Sequence, residues 1–369
     1  MATPGRETTS EERLMPAPIG KLSKEDVDGV EKFVFFVGYA RSGSSIIGSM
    51  LDAHPNMIVA NECGEFMTWL RTPKLKLDKS HFFNALYLCS RQSATSGGRS
   101  SDTKNRKGYS LSISSSWQGT FRKLQVIGNK QAGGTTGVYL RDPSLFVTKC
   151  EELADTLRVP IYMIHVVRNP FDMIATRLHY VSGMGTPHKL LVSNSSTPTQ
   201  QYNVTTMTSR IDRVFRLSEA VMNISRLCKM KILHVHIEDL IRRPNNTIQS
   251  ICGALDLECS ADYIQQCYNK TFKSVSRTRD LLVWSPSIHA TVEKRMKEFP
   301  FFKGYSFESS FWEDGWTWMK VIATTPFVVC HCMLFHATPR VELAIHMHTN
   351  YFIIRFIHNT FIVKTIIFG

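Results

Sequence analysis

Five apolar runs are spread over the first two thirds of the chain. They are short, and most lack the strict alternation of a strand with one solvated face, so each predicts a strand buried on both faces. The runs are FVFFV at 33–37, MIVA at 57–60, LQVIGNK at 124–130, IYMIHVV at 161–167 and KILHVHI at 231–237.

Helical patterns lie between these runs. Apolar residues at helical spacing, from Ile46 to Leu51, predict a helix over 44–53, which Pro55 ends. Asn169 is a suitable N-cap and Pro170 a suitable first residue for the next helix. Further helices are predicted over 210–228 and 247–255. The alternation predicts an α/β fold, a parallel sheet with helices on both faces.

The ends of the chain differ from its middle. Residues 1–30 are polar and predict a flexible lead-in. Residues 31–312 hold all the strand and helix patterns and predict one catalytic domain. Residues 313–369 are poor in charge and show no clean period, so we treat them as an aperiodic tail and hypothesise that they are not native.

Charge is concentrated in the middle. The chain has 44 basic and 31 acidic residues, a formal net charge of +13, and twelve of the basic residues fall within 71–132. Such a field attracts an anionic partner. Nucleotides, acidic glycans, acidic peptides and nucleic acid all qualify.

The sequence indicates the cellular location and the metal content of the protein less strongly than it indicates the fold. No apolar run long enough to span a membrane occurs, and the N-terminus lacks a secretory signal, so the sequence as written predicts a cytoplasmic protein. A Golgi location would need an anchor missing from this sequence. The nine scattered cysteines predict mainly buried free thiols, His54 predicts a packing residue, and Cys330 and Cys332 match no usual zinc spacing.

The segment GYARSGSS at 38–45 follows the first run and opens the first helix. Gly38 and Gly43 have the spacing of a P-loop, in which glycines let backbone N–H groups face a phosphate. The alternative is a plain strand–turn–helix connection. ATP- and GTP-hydrolysing loops carry Lys after the second glycine, where this chain has Ser44, and the basic residue here is Arg41. The loop therefore predicts phosphate binding but suits γ-phosphoryl transfer poorly.

The run FFVGYARSGSSIIGSMLDAHPNMIVANE at 35–62 resembles the 5′-phosphosulfate loop of the sulfotransferases, and is similar to the tyrosylprotein and carbohydrate branches. IYMIHVVRNPFDMIATRLHY at 161–180 resembles the family's 3′-phosphate motif. Looser likenesses are VIGNKQ at 126–131, VHIEDLIRRP at 235–244, with Ile237 where Tyr is common, and RTRDLLVWSPS at 277–287. Together they cover roughly residues 31–311.

The resemblance implies 3′-phosphoadenosine 5′-phosphosulfate (PAPS) as donor and a P-loop-like fold. It implies that the loop holds the 5′ end, that the second motif clamps the 3′-phosphate, and that the late basic segment covers the nucleotide, with Trp284 a candidate to stack on the base. The implied donor ligands are Arg41, Ser42, Gly43, Ser44, Ser45, Arg168, Thr176, Ser276, Arg277 and Arg279.

The resemblance also implies the catalytic groups. Glu62 stands where the tyrosylprotein branch has its base, with Glu65 as the rival. A carboxylate at a strand end can accept the proton of an acceptor hydroxyl. Arg41 and Lys130 are expected to stabilise charge on the leaving phosphate, and no metal is required.

Two other functions stay open at this stage. A kinase-like phosphotransferase would also use a P-loop, and a non-catalytic polyanion-binding protein would use the basic segment 71–132. Nucleic acid is not expected as a partner, because no recognised binding module is present. The acceptor of a sulfotransferase could be a glycan, a peptide or a small alcohol or phenol. The segments 91–120 and 181–209 are predicted to wall the acceptor cleft.

Overall fold

The computed structural model describes residues 20–95, 111–114, 116–181 and 202–309, and the strand segments 341–347, 350–357 and 360–366. The chain divides into two units between Ala323 and Thr324. In the described parts, no helix combines the length and the apolar character needed to cross a lipid bilayer.

The first unit is built on a five-stranded sheet. Its strands are β1 (Lys32–Val37), β2 (Met57–Asn61), β3 (Val126–Lys130), β4 (Ile161–Val167) and β5 (Lys231–His236). They are parallel and lie in the order β2-β3-β1-β4-β5. These are the five apolar runs, which confirms the predicted parallel α/β sheet.

Helices connect the strands. They are α1 (Lys24–Asp28), α2 (Ser44–Asp52), α3 (Gly64–Arg71), α4 (Lys79–Thr95), α5 (Ala132–Arg141), α6 (Pro143–Leu157), α7 (Pro170–Val181), α8 (Val204–Cys228), α9 (Ile237–Arg242), α10 (Pro244–Ala254), α11 (Ala261–Tyr268) and α12 (Pro286–Met296). Two 3₁₀ turns, Thr278–Leu281 and Pro300–Phe302, follow α11 and α12.

The sheet separates two hydrophobic cores. Phe33 and Phe35 of β1 pack with α3, α4, α6 and α8, whereas Val34 and Phe36 pack with α2, α10 and α11. This division follows from the alternation of side chains along a strand. Because both faces are covered, all six residues of β1 are buried.

The register of the strands brings their carboxyl ends together. Asn61 of β2 pairs with Lys130 of β3, and Val167 of β4 pairs with His236 of β5. The loops that leave these ends therefore meet at one edge of the sheet, which is where open α/β sheets bind ligands.

Several elements differ from the sequence prediction. Helix α1 lies inside the lead-in predicted to be flexible, and its first turn has a capping box between Ser23 and Asp26. Helix α8 begins at Val204 rather than at 210. Most of the predicted wall at 181–209, and residues 96–110 of the wall at 91–120, lie outside the described residues.

The second unit contains a three-stranded antiparallel sheet of β6 (Val341–Met347), β7 (Asn350–Ile357) and β8 (Thr360–Ile366). The sequence pattern had indicated no regular element there. The domain boundaries and the hypothesis that this segment is not native stay predictions.

Candidate active site

A glycine-rich loop, residues 38–43, joins β1 to α2. Gly38, Arg41 and Gly43 have φ values of 111°, 72° and 97°, so the backbone repeatedly takes up a conformation that favours glycine. Gly43 is also the N-cap of α2, and it supplies no side-chain cap. The N–H groups at such a helix start suit an anion.

Neighbouring strands fix this loop. The N–H of Gly38 donates to Thr136 Oγ1 at 2.7 Å. A Cβ at Gly38 would lie 2.7 Å from the His165 ring, and a Cβ at Gly43 would lie 2.6 Å from Ile237. Both glycines are therefore required by close packing as well as by their φ values.

The serines of the loop differ in their surroundings. Ser42 is buried and its hydroxyl donates to the carbonyl oxygen of Tyr39 at 3.2 Å. Ser44 is also buried, in the first turn of α2. Ser45 is half-buried and accepts a hydrogen bond from Lys130 Nζ at 3.1 Å. Ser45 thus links the loop to the end of β3.

Lys130 joins two of the predicted site segments. Its Nζ lies 2.7 Å from Glu62 Oε1 and 3.1 Å from Ser45 Oγ. The Lys130 side chain is 3% exposed, whereas that of Glu62 is 55% exposed. Gly48 of α2 leaves room for the lysine stem, because a Cβ there would lie 2.7 Å from Lys130 Cγ. The ammonium group is therefore held in place beneath an accessible carboxylate.

The backbone directs Glu62 toward that lysine. Glu62 has a φ of 60°, and its N–H donates to the carbonyl oxygen of Lys130 at 3.0 Å. Glu65, the rival base, lies in the first turn of α3 and is exposed. Its Oε2 lies 3.2 Å from the sulfur of Cys63 and 3.5 Å from that of Cys89. Glu62 thus contacts the Lys130 ammonium group, whereas Glu65 lies beside the sulfurs of Cys63 and Cys89.

The Arg41 and Arg168 segments meet at the same edge of the sheet. Arg168 follows β4, and its Nη1 donates to the carbonyl oxygen of Arg41 at 3.0 Å. Its Nη2 lies 3.4 Å from Thr278 Oγ1, which also lies 3.0 Å from Thr176 Oγ1. The structure therefore brings together the two predicted phosphate motifs. Sequence reasoning missed Thr278, which links them to the late basic segment.

Arg279 lies beneath this cluster. Its side chain is fully buried and forms an ion pair with the equally buried Asp172, with Nη1 2.5 Å from Oδ2. Burial raises the pKa of Asp172, while Arg168 and Arg279 oppose that rise. Arg279 therefore presents no exposed surface, and its predicted contact with the donor stays a prediction. Trp284 donates to the carbonyl oxygen of Arg279 at 2.9 Å and packs edge-on against Phe171.

A cavity of about 660 Å³ is lined by Arg277 but by none of the other predicted donor ligands. Arg277 borders it, pairs with Asp280 at 2.7 Å and donates to the carbonyl oxygen of Glu308 at 2.7 Å. Ser276 is half-buried next to it in sequence. The lining residues are Ile241, Arg242, Pro244, Tyr268, Lys273, Ser274, Val275, Arg277, Glu308 and Ser309. Three cations in one cavity suit an anionic ligand.

The arrangement matches a known family. The family model described as a sulfotransferase domain matches residues 31–304. The chain belongs to the sulfotransferase family. This confirms the resemblance inferred from the two phosphate motifs, and it supports sulfuryl transfer as the general activity.

Solved structures similar to this sulfotransferase have low sequence identity. STF9 from Mycobacterium avium is 12% identical over 75% of this chain and 79% of that one, with a TM-score of 0.37. Mouse SULT7A1 complexed with PAP is 11% identical over 75% of this chain and 89% of that one, with a TM-score of 0.37. The sulfotransferase from Alicyclobacillus acidocaldarius is 13% identical over 72% and 92%, with a TM-score of 0.35. No curated protein sequence matches the chain.

A buried polar network lies behind the Arg168 turn of the sulfotransferase. Glu238 is fully buried and accepts from the N–H of Asn169 at 2.9 Å and from the hydroxyl of Tyr305 at 2.6 Å. Burial raises the pKa of Glu238 to about 7. His236 lies 3.1 Å from the Tyr305 hydroxyl, and burial lowers the pKa of His236 to about 4. No sequence motif pointed to Tyr305, which lies 67 residues from Glu238.

Buried His165 and half-buried His234 extend the polar groups under the loop. His165 Nδ1 lies 2.9 Å from His234 Nδ1, so one ring donates and the other accepts. Burial lowers the pKa of His165 well below its ordinary value and that of His234 to about 4. Both rings are therefore neutral at physiological pH and add no positive charge beneath the loop.

The cysteines differ from the sequence prediction. Cys63 is bonded to Cys89, and Cys252 is bonded to Cys259. The prediction of free thiols is therefore wrong for these four. Pairing depends on contacts between helices and loops, which spacing along the chain does not reveal. Cys150, Cys228 and Cys267 are free.

His54 lies beside the second disulfide. Its Nε2 bonds the carbonyl oxygen of Glu258 at 3.0 Å, and its Nδ1 accepts from the N–H of Asn56 at 3.1 Å. His54, Cys252 and Cys259 lie close enough together to hold a metal ion. Because both ring nitrogens and both sulfurs are engaged, the contacts fit the predicted packing role.

Proposed function

We propose that the protein transfers the sulfuryl group of PAPS to a hydroxyl or amine acceptor. The observation that carries this proposal is the position of Lys130 Nζ, within 3.1 Å of Ser45 of the loop and 2.7 Å of Glu62. One cation thus lies between the segment proposed to hold the donor and the carboxylate proposed to face the acceptor.

The donor is proposed to lie along the carboxyl edge of the sheet. The N–H groups of residues 42–45 and the Ser44 and Ser45 hydroxyls would hold the 5′-phosphosulfate, and Arg41 would neutralise its charge. Arg168 and Thr176 would hold the 3′-phosphate, with Thr278 added from the structure.

The proposed reaction is an in-line displacement at sulfur. The acceptor oxygen forms a bond to sulfur while the bond from sulfur to the bridging phosphate oxygen breaks. Glu62 takes the acceptor proton, and Lys130 and Arg41 stabilise the charge that the leaving adenosine 3′,5′-bisphosphate retains. Protein groups supply all of this positive charge, so the proposal needs no metal.

The acceptor class is proposed from the surface next to Glu62. Helix α3 begins two residues after Glu62; its last residue, Arg71, is exposed, as are Lys74 and Lys76 in the segment that follows. These cations favour an acidic glycan or peptide over a neutral alcohol or phenol. A transfer assay with labelled PAPS compares glycan, peptide and small alcohol or phenol acceptors and so tests the acceptor class. A metal chelator in the same assay tests whether the reaction proceeds without a metal.

Donor binding gives the most direct test of the proposal. Adenosine 3′,5′-bisphosphate at about 100 times its Kd should stabilise the fold by about 2.7 kcal/mol, a thermal shift of several degrees. ATP with Mg²⁺ lacks the 3′-phosphate and should give a much smaller shift in the same differential scanning experiment. A larger shift with ATP would support the kinase-like alternative instead.

We also propose that the protein folds in an oxidising compartment, because structural disulfides are rare in reducing ones. The cytoplasmic location expected from the sequence is the alternative. Mass spectrometry of the native protein, alkylated under denaturing conditions before and after reduction, should find four cysteines that react only after reduction. Complete alkylation without a reductant would contradict the proposal.

A further inference from the structure

We propose that Glu238 is a positioning residue for the donor. Its carboxylate holds the turn from which Arg168 reaches the 3′-phosphate, and it couples the affinity for that phosphate to its own protonation. The inference rests on the donor proposed above. It adds a residue that neither phosphate motif contains and that does not itself contact the donor.

The first step is the contact between Glu238 and the turn. Glu238 Oε1 accepts from the N–H of Asn169, the residue after Arg168, at 2.9 Å. Asn169 Nδ2 in turn donates to the carbonyl oxygens of Ser306 at 2.9 Å and Ser309 at 3.1 Å. The backbone next to Arg168 is therefore held from α9 and from the segment that follows α12.

The second step is the other carboxylate oxygen. Burial raises the pKa of Tyr305 far above its ordinary value, so its hydroxyl keeps its proton and donates to Glu238 Oε2 at 2.6 Å. The Tyr305 oxygen can then accept from His236 Nδ1, 3.1 Å away. Glu238 thus has a fixed partner on each oxygen, and its position is well defined.

The third step is the charge around Glu238. The carboxylate is fully buried, which disfavours its charged form. Arg168 and Arg279 are cations that interact with it electrostatically and favour that form. Tyr305 donates a hydrogen bond to it, and the other titratable groups around Tyr305 are His236, Asp172 and Asp239. A phosphate anion bound to Arg168 would oppose the stabilisation that Arg168 provides.

The sign of the coupling follows. In the unliganded protein the pKa of Glu238 is about 7, so the group is half-protonated near neutral pH. A bound 3′-phosphate raises that pKa further, so binding takes up a proton. The affinity for the bisphosphate therefore increases as the pH falls from the higher pKa of the complex toward about 7, and it levels off below that pH. The phosphate also titrates near pH 6, but it does so equally in every variant.

Titration calorimetry with adenosine 3′,5′-bisphosphate at several pH values tests this coupling. Between about pH 8.5 and 6.5, the Kd of the wild type should fall about three- to tenfold more than that of Glu238→Gln, because one linked proton is worth up to about tenfold per pH unit. The glutamine retains an oxygen for the Asn169 N–H, so its Kd should be close to that of the protonated wild type. Equal pH slopes would overturn the proposal.

Two further variants separate positioning from general damage. Tyr305→Phe removes a hydrogen bond that favours the charged carboxylate of Glu238. The pH range over which the bisphosphate affinity changes should therefore move upward in this variant. Asp52→Asn alters another fully buried carboxylate, which bonds Ser90 at 2.6 Å, and should leave the slope unchanged. A slope change in Asp52→Asn, or an unmoved pH range in Tyr305→Phe, would count against the proposal. Failure of the wild type to bind the bisphosphate would instead reject the donor assignment.

Discussion

Replacement of Glu62 by Gln is expected to lower kcat about 100- to 10,000-fold, the usual contribution of a general base. The amide cannot take a proton from the acceptor, but it can still accept a hydrogen bond from Lys130, now 2.7 Å from the carboxylate. Affinity for adenosine 3′,5′-bisphosphate should therefore stay close to that of the wild type. Steady-state kinetics with labelled PAPS and calorimetry with the bisphosphate measure the two effects.

Glu65→Gln is the matched control, since Glu65 is an exposed carboxylate three residues along the chain. It should retain most of the wild-type kcat. If Glu65→Gln loses activity and Glu62→Gln does not, the base is Glu65. If neither variant changes turnover and the wild type shows none, the protein is better explained as a polyanion-binding protein.

Replacement of Lys130 by Met should lower kcat about 100- to 1,000-fold, the usual cost of losing one group that stabilises transition-state charge. Methionine retains most of the apolar stem that packs against Gly48. The Lys130 side chain is 3% exposed, so its ammonium group has a fixed position before the donor binds. Its loss should therefore lower the stabilisation of the transition state more than it lowers the affinity for PAPS in the ground state. The measurement is kcat and KM for PAPS.

Lys123→Met is the control for Lys130→Met. Lys123 belongs to the same basic segment, but its side chain is 67% exposed and lies 3.8 Å from Glu31. This variant should behave as wild type. Similar losses in both lysine variants would point to the overall positive field rather than to a specific role of Lys130.

The double variant Glu62→Gln, Lys130→Met gives a sharper result. The two side chains touch, so their effects on kcat should be far from additive. A loss close to the larger single loss is expected. Strict additivity in log kcat would mean that the two residues act in separate steps.

The strands were predictable because a parallel strand covered on both faces must be apolar throughout, and this pattern is local. The glycine loop was predictable for the same reason, since positive φ values at Gly38 and Gly43 depend on a few adjacent residues. Helices α3 to α6 were not predicted. The start of α5 is Ala-Gly-Gly-Thr-Thr, a sequence with low helix propensity that packs against the sheet and α8.

The parts of the site that the sequence did not reveal depend on contacts between distant residues. The ion pair that holds Arg279 in the interior is made with Asp172, 107 residues away. Thr278 was overlooked because only the fold brings it beside Thr176. A charged residue is usually exposed, so burial of Arg279 requires a partner that the local pattern does not show.

The space that Gly48 leaves for Lys130 has a consequence for substitutions away from the charged residues. A methyl group at position 48 would press on the Lys130 stem without altering any charged residue, and the helix around it would keep its sequence pattern. A comparison of sequences that scores only acidic and basic motif residues would therefore overlook this substitution.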